Sequence, residues 1–298
     1  MNERACPACL SADPAAVLAE DTADPAGWDS YAFASRKLPE YTHHRMVLCG
    51  ACDLAYASPA PEPDLLAGAY REASYDSGLE AGYASRTYAR LLAAVVPRLV
   101  SLEGALDIGT GNGAFLEELM AAGFQGVEGV EPSLAPVEAA KPHIRPLIQV
   151  GSFTPALFGD RRFSLITCFQ TMEHVYDPRA TCADMCTLLR DGGAVLIVCH
   201  DRNALSARVL RTKSPIFDVE HLQLYSRESL VRLLRATGFV DVGVRTVVNR
   251  YPLNYWVKLF PMPPGPKRAL MRRLEQRHVG RIPVPLAAGN FAAVAFRR

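Results

Sequence analysis

Three glycines at alternate positions, Gly109, Gly111 and Gly113, lie in Ala105-Leu-Asp-Ile-Gly-Thr-Gly-Asn-Gly-Ala-Phe-Leu116, between a short apolar strand and an apolar helix start. Glycines there permit a tight strand-to-helix turn and let a ligand rest on bare backbone. The spacing also satisfies a dinucleotide fingerprint, with Ala114 as its last small residue. Asp107 separates the two readings. A carboxylate at the strand end would repel a pyrophosphate on the loop and suits a ligand that carries an ammonium group, as S-adenosylmethionine (SAM) does. Glu131 sits where the next strand should end, in Gly126-Val-Glu-Gly-Val-Glu131. An acidic residue there can accept both hydroxyls of an adenosine ribose, or more plainly cap the following helix.

A second constellation is Cys6-Pro-Ala-Cys9 with Cys49-Gly-Ala-Cys52. A two-residue gap turns both thiolates of a pair toward one point, and two such knuckles make a tetrahedral zinc site. Four thiolates leave no open position for water, so the expected zinc is structural. Cys168, Cys182, Cys186 and Cys199 lie in apolar elements and read as small core residues. Three histidines, His174, His200 and His221, fall on segments expected at the C-terminal rim of the strands.

These residues need a scaffold. From residue 104 onward, apolar runs and amphipathic stretches alternate as in a parallel sheet flanked by helices. The pattern predicts seven strands, at 104–108, 126–130, 145–150, 163–168, 193–199, 239–248 and 290–296. Helices are expected near 112–122, 133–140, 178–190 and 226–237. Asp177 and Pro178 open the third of these and Asp191-Gly-Gly193 should close it. The expected organisation is a zinc-binding module over 1–60, a helical linker or cap over 61–103, and a SAM-binding core over 104–298 with an insertion at about 250–286. Between the knuckles, residues 28–39 mix aromatic and polar groups that suit a substrate cleft or packing on the zinc module.

The chain has 298 residues, is 49% hydrophobic and carries a net charge of +1. That charge gives no basic face for nucleic acid. No secretory leader and no apolar run long enough to span a bilayer is visible, so the chain reads as cytoplasmic, with reduced cysteines. The aromatic, proline-broken run 251–266 precedes a basic stretch, 267–273. It suits a lid, a dimer contact, a peripheral membrane contact through 251–273, or plain packing.

The ordered motifs resemble the class I SAM-dependent methyltransferases. Leu106-Asp-Ile-Gly-Thr-Gly-Asn-Gly113 looks like their SAM loop and Glu131 like the ribose ligand. Gly151-Ser-Phe153 resembles the segment that covers the adenine. Phe169-Gln-Thr-Met-Glu-His-Val-Tyr-Asp-Pro178 resembles the "leHv-dP" motif, and Leu188-Leu-Arg-Asp-Gly-Gly-Ala-Val-Leu-Ile197 the "LkpGG-l-i" segment. Two CxxC knuckles ahead of this core look like the zinc-containing methyltransferases of sugar and natural-product pathways, whose "Y-x-E-H" segment is matched by Glu220 and His221, with Asp218 at the tyrosine position.

The resemblance implies a Rossmann-like core with a mostly parallel seven-stranded sheet. It implies SAM contacts from Asp107, Gly109, Thr110, Gly111, Gly113, Glu131, Ser152, Phe153, Phe169 and Gln170, and structural zinc on Cys6, Cys9, Cys49 and Cys52. It places His221 as first choice of general base, His174 as second and Glu220 as their partner, since an imidazole titrating near pH 6.5 is largely neutral at pH 7. The expected activity is methyl transfer to a small-molecule or carrier-linked acceptor such as a sugar, glycan or natural-product intermediate. The alternatives are an NAD(P)-dependent reductase and a non-catalytic zinc-dependent interaction protein. Oligomeric state and the choice among O-, N- and C-methylation stay open.

Overall fold

A computed structural model describes residues 3–24, 28–34, 40–76 and 78–298. Its frame is a seven-stranded sheet. The strands are β4 (Glu103–Ile108), β5 (Gln125–Glu131), β6 (Ile148–Val150), β7 (Phe163–Phe169), β8 (Leu189–His200), β10 (Val240–Pro252) and β11 (Pro283–Phe296), in the order β10-β11-β8-β7-β4-β5-β6. The first five are parallel, while β11 runs antiparallel to both β8 and β10. All seven residues of β7 are buried, as a continuous apolar run covered on both faces requires.

Side chains alternate between two cores. Leu106, Ile108, Ile166 and Cys168 face one side with Cys182, Met185 and Leu188 of α5 (Pro178–Leu188) and Leu230, Leu233 and Leu234 of α7 (Arg227–Ala236). Ala105, Leu165 and Phe169 face the other with Tyr88 and Leu92 of α2 (Gly78–Leu92) and Phe115, Leu116 and Leu119 of α3 (Ala114–Ala121). Asp177 caps α5 by accepting from the Ala180 N–H at 2.9 Å, with Pro178 in the first turn. Ser226 caps α7, with Ser229 completing a reciprocal capping box.

Several boundaries differ from expectation. Residues 145–147 form a 3₁₀ turn and only Ile148–Val150 pair as a strand. Helix α5 ends at Leu188, and Asp191-Gly-Gly193 belongs to β8 instead of a helix cap. Phe163 pairs with Leu189 and Leu165 with Ala194, so β8 takes up extra residues opposite β7. Gly193 is obligatory in this bulge, because a Cβ there would come 2.9 Å from the Arg190 carbonyl. The last two strands run beyond 239–248 and 290–296 as a long ribbon, and α8 (Leu253–Leu259) and α9 (Pro264–Gln276) fill the insertion between them.

A second, four-stranded antiparallel sheet has the order β1-β2-β3-β9. Its strands β1 (Pro14–Ala19), β2 (Met46–Cys49) and β3 (Ala55–Ala57) come from the N-terminal segment, but β9 (Gln223–Leu224) comes from the core. The N-terminal part therefore hydrogen-bonds to residues immediately after Glu220 and His221. The Arg4 guanidinium reinforces this seam by donating to the carbonyls of Ala57, Tyr176 and Leu222. Of residues 28–39, Trp28 packs edge-on against Phe33 at 4.9 Å, and 35–39 lie outside the described residues.

Candidate active site

A cavity of about 800 Å³ opens over the C-terminal ends of β4, β5, β7 and β8. That is where open α/β sheets bind ligands. Asp107, Gly109, Thr110, Gly111, Glu131, Ser152, Phe153, Phe169 and Gln170 line it. The glycine loop carries left-handed backbone at Gly109 (φ 73°) and Gly111 (φ 59°). A Cβ on Gly109 would strike the Thr171 side chain at 2.3 Å, whereas one on Gly111 would meet nothing within 4 Å. Gly111 thus offers the cavity its bare backbone. Gly113 is off the wall: it precedes α3, and a Cβ there would fall 2.4 Å from Ile144. Its glycine serves packing.

Glu131 ends β5 and is 7% exposed. One carboxylate oxygen accepts from the Gly111 N–H at 2.8 Å and the other from the Ser133 N–H at 3.0 Å. The second bond is the helix-capping role, since Ser133 precedes α4 (Leu134–Glu138); the first ties Glu131 to the glycine loop. Burial pushes its pKa up against these two donors. Asp107, 3% exposed, accepts from the Thr167 hydroxyl at 2.6 Å. Phe169 stacks on Tyr88 at 4.2 Å and meets Phe115 edge-on, giving the wall a flat apolar surface. Two buried polar atoms on the wall, Thr110 Oγ1 and Gln170 Nε2, have no protein partner. Buried polar groups need partners, so this is the signature of a site shaped for a polar ligand. Carboxylates, bare loop backbone, flat rings and orphaned polar atoms together fit SAM.

The same cavity is lined by His174, His200, Asp218, Glu220 and His221. The rings of His174 and His221 lie 4.9 Å apart, and those of His200 and His221 5.3 Å. His221 Nδ1 is 2.8 Å from the Ile216 carbonyl, so it donates there, and Nε2 lies 4.0 Å from Glu220 Oε1. His174 Nδ1 is 2.9 Å from the Glu220 carbonyl and 3.0 Å from the Tyr70 hydroxyl. Tyr70, on α1 (Pro63–Arg71), also donates to the Glu220 carbonyl at 3.1 Å. The 218–223 segment is fastened from beneath: the N–H groups of Leu222 and Gln223 donate to the Glu173 carbonyl, and Gln223 Nε2 donates to Met172 and Val175. Fully buried Glu173 accepts from the His200 N–H at 2.6 Å, and burial raises its pKa to about 7.

His200 differs from its neighbours. Its Nδ1 is 2.9 Å from Asn290 Oδ1, and burial lowers its pKa to about 4, which makes it a poor proton acceptor at neutral pH. The sequence did not single out Tyr70, Asn249 or Asn290, all on the cavity wall. Within the aromatic insertion, Tyr251, Tyr255 and Trp256 line it too.

Off the cavity wall, Cys6, Cys9, Cys49 and Cys52 bring their Sγ atoms within 4.8 Å of one another. Two contacts, Cys6–Cys52 and Cys9–Cys49, are 3.5 Å. A tetrahedron of thiolates at the usual zinc–sulfur bond length has edges of about 3.8 Å, so the donor set fits that ion. The contact between Cys6 and Cys52 lowers the Cys6 thiol to about 5 and raises that of Cys52, while burial raises Cys9.

A family model described as "Methyltransferase domain" matches residues 80–244, more than half of the chain. Among curated relatives, the ubiquinone biosynthesis O-methyltransferase of Aromatoleum aromaticum is 33% identical over 146 residues, covering 45% of this chain and 62% of the relative. That of Stutzerimonas stutzeri is 30% identical over 112 residues, covering 35% of this chain and 48% of the relative. The chain thus spans about half to two-thirds of these relatives. The solved YcgJ protein of Bacillus subtilis superposes with a TM-score of 0.51 at 16% identity, covering 70% of this chain and 97% of that one, which shows the shared fold. The matched span contains the glycine loop, Glu131, His174 and His221, and the chain belongs to the methyltransferase-domain family as a class I SAM-dependent methyltransferase.

Proposed function

We propose that the chain transfers the methyl group of SAM to a hydroxyl of a small-molecule or carrier-linked acceptor, with His221 taking the acceptor's proton. The observation that carries this is one cavity lined both by the glycine loop with Glu131 and by the His174–Glu220–His221 cluster. Asp107 faces the ammonium end of SAM, Glu131 the ribose, and Ser152, Phe153, Phe169 and Gln170 the adenine side. SAM supplies a methyl group on a sulfonium leaving group. The protein's share is alignment and one proton. With Nδ1–H given to Ile216, the His221 lone pair is on Nε2, the nitrogen nearer Glu220. The acceptor O–H proton passes to that nitrogen while the oxygen–methyl bond forms and the methyl–sulfur bond breaks. Glu220 stabilises the resulting imidazolium. The relatives named for O-methylation in ubiquinone biosynthesis favour oxygen over nitrogen or carbon.

Calorimetry should show binding of SAM and of S-adenosylhomocysteine and none of NADH. With an acceptor in hand, His221→Ala should lose about a hundredfold in turnover with SAM affinity retained. Turnover within about threefold of the parent would show His221 to be structural and alignment alone to drive transfer.

We assign one structural zinc to Cys6, Cys9, Cys49 and Cys52, as part of a module over 1–60 that precedes a helical cap over 61–103. Elemental analysis of protein purified under reducing conditions should return one zinc per chain, and a metal-free protein would overturn the assignment. Reduced thiolates suit a reducing compartment, and we place the chain in the cytoplasm. Among the described residues no helix is long and apolar enough to cross a membrane. The insertion's aromatic face serves as a wall of the acceptor pocket.

A further inference from the structure

Asn249 is 3% exposed, lines the cavity, and holds its side-chain oxygen buried with no hydrogen-bond partner. An unpartnered buried amide is costly, and its persistence on a cavity wall points to a ligand group that completes it. Its surroundings say which group. Val247 pairs with Asn290, and Asn290 with His200, so these three share one face of the sheet. Asn249 falls on that face as well: Val247, Asn249 and Tyr251 are buried while Val248 between them is 49% exposed. His200, held neutral by burial and donating Nδ1–H to Asn290, offers its remaining nitrogen as a hydrogen-bond acceptor. The rings of Tyr251, Tyr255 and Trp256 stand alongside, with Tyr251 and Tyr255 4.3 Å apart. Among the described residues, no lysine or arginine lines the cavity, whereas Asp64, Asp107, Glu131, Asp218 and Glu220 do.

We propose that Asn249 and His200 form the subsite that selects the acceptor, accepting hydrogen bonds from hydroxyl groups of an uncharged ring held against the Tyr251–Tyr255–Trp256 face. This rests on the methyl-transfer reading of the cavity and adds to it the residues that choose the substrate. A phenolic ring and a sugar ring both present that chemistry. An acidic cavity wall that supplies acceptors and no cation disfavours a carboxylate or phosphate on the ring itself.

The test uses the full-length protein saturated with S-adenosylhomocysteine and two neutral probes, 4-methylcatechol and methyl β-D-glucopyranoside. Each is compared by calorimetry with its fully O-methylated counterpart. One hydroxylated probe should bind about tenfold or more tighter than its methylated form, and which one does so names the ring. Asn249→Leu, which replaces the amide with its unpartnered oxygen by an apolar group of similar shape, should abolish that preference while S-adenosylhomocysteine affinity and Tm stay at parental values. Asn249→Ser serves the same purpose if leucine does not fit. Discrimination that survives in both variants, or is absent from the parent, overturns the subsite alone. A parent that fails to bind S-adenosylhomocysteine overturns the methyl-transfer reading beneath it.

Discussion

The two halves of the cavity are built in opposite ways. On the side we assign to SAM, Asp107, Gly109, Thr110 and Gly111 arrive in one run of chain, Glu131 is fastened to that run by a 2.8 Å bond, and Ser152, Phe153, Phe169 and Gln170 complete the wall at and beyond the ends of β6 and β7. On the side we propose for the acceptor, the wall draws on α1, His174, the end of β8, the 218–221 turn and the β10–β11 ribbon. The centre of the first half is local, a loop between a buried strand and a helix. The second is a tertiary assembly whose polar groups hold one another in place across gaps such as the 104 residues between Tyr70 and His174. A local site tolerates damage elsewhere in the molecule; an assembled site inherits it.

The largest effect should come from the local half. In Gly111→Val the new side chain meets no protein atom at Cβ and projects into the cavity, while the left-handed backbone adds a strain of about 1–2 kcal/mol. We expect a folded protein whose SAM affinity by calorimetry falls by at least about a hundredfold, equivalent to about 2.7 kcal/mol. Normal SAM binding would remove Gly111 from the donor site. The same change at Gly109 would instead clash with Thr171 and test folding, so it is the poorer probe.

Next in size is removal of the zinc we assign to Cys6, Cys9, Cys49 and Cys52. Strand β3 pairs Ala55 with Leu224 and Tyr56 with Gln223, two to four residues beyond Glu220 and His221. The cysteine cluster also packs into the core face that holds α5 and α7. Chelation should therefore loosen the 218–224 segment and leave the glycine loop, on β4 and α3, intact. The expected outcome is turnover down by about tenfold or more with SAM affinity within about threefold. Equal losses at both ends would mean that the metal supports the fold as a whole and not the acceptor wall.

This division also explains what the sequence could disclose. Asp107, Gly109, Gly111 and the strand-end Glu131 lie within a span of 25 residues whose types and spacing carry the chemistry, and the structure sets them on one wall, with Gly113 left to packing. The central strands were legible because β7 and the second half of β8 are runs of apolar residues buried on both faces. Their ends were not. Gly192 and Gly193 look like a helix stop, yet the helix has already ended and they ease a bulge whose cause, the approach of the β7 backbone, is a tertiary contact. Strand β9 has two residues, too few for any period to register, and exists because β3 lies beside it. Tyr70 reads as one tyrosine among several in a helical stretch. Only the packing of α1 over the 220–221 turn gives it a role. Asn249 sits in a strand of mixed polarity, and nothing in its neighbours predicts that its amide is buried and unmet.

Tyr70 supplies the smallest and most discriminating test. Its hydroxyl reaches His174 Nδ1 and the Glu220 carbonyl, so it positions both without being the group that takes the proton. Burial holds its phenol pKa well above the usual value, so it stays protonated and donates throughout the neutral range. Tyr70→Phe removes one hydroxyl and leaves the ring packed on Phe33 at 5.0 Å. The loss of one such bond corresponds to about 1 kcal/mol, or about fivefold. If the acceptor half is an interlocked assembly, that loss should appear in kcat, with the apparent pKa of the pH–rate profile displaced, and SAM affinity should not move. A fall in Tm with kcat and pH profile unchanged would show that the hydroxyl merely ties α1 to the core. In that case His174 and Glu220 would be held by the 218–223 segment alone, through its bonds to Glu173 and Met172.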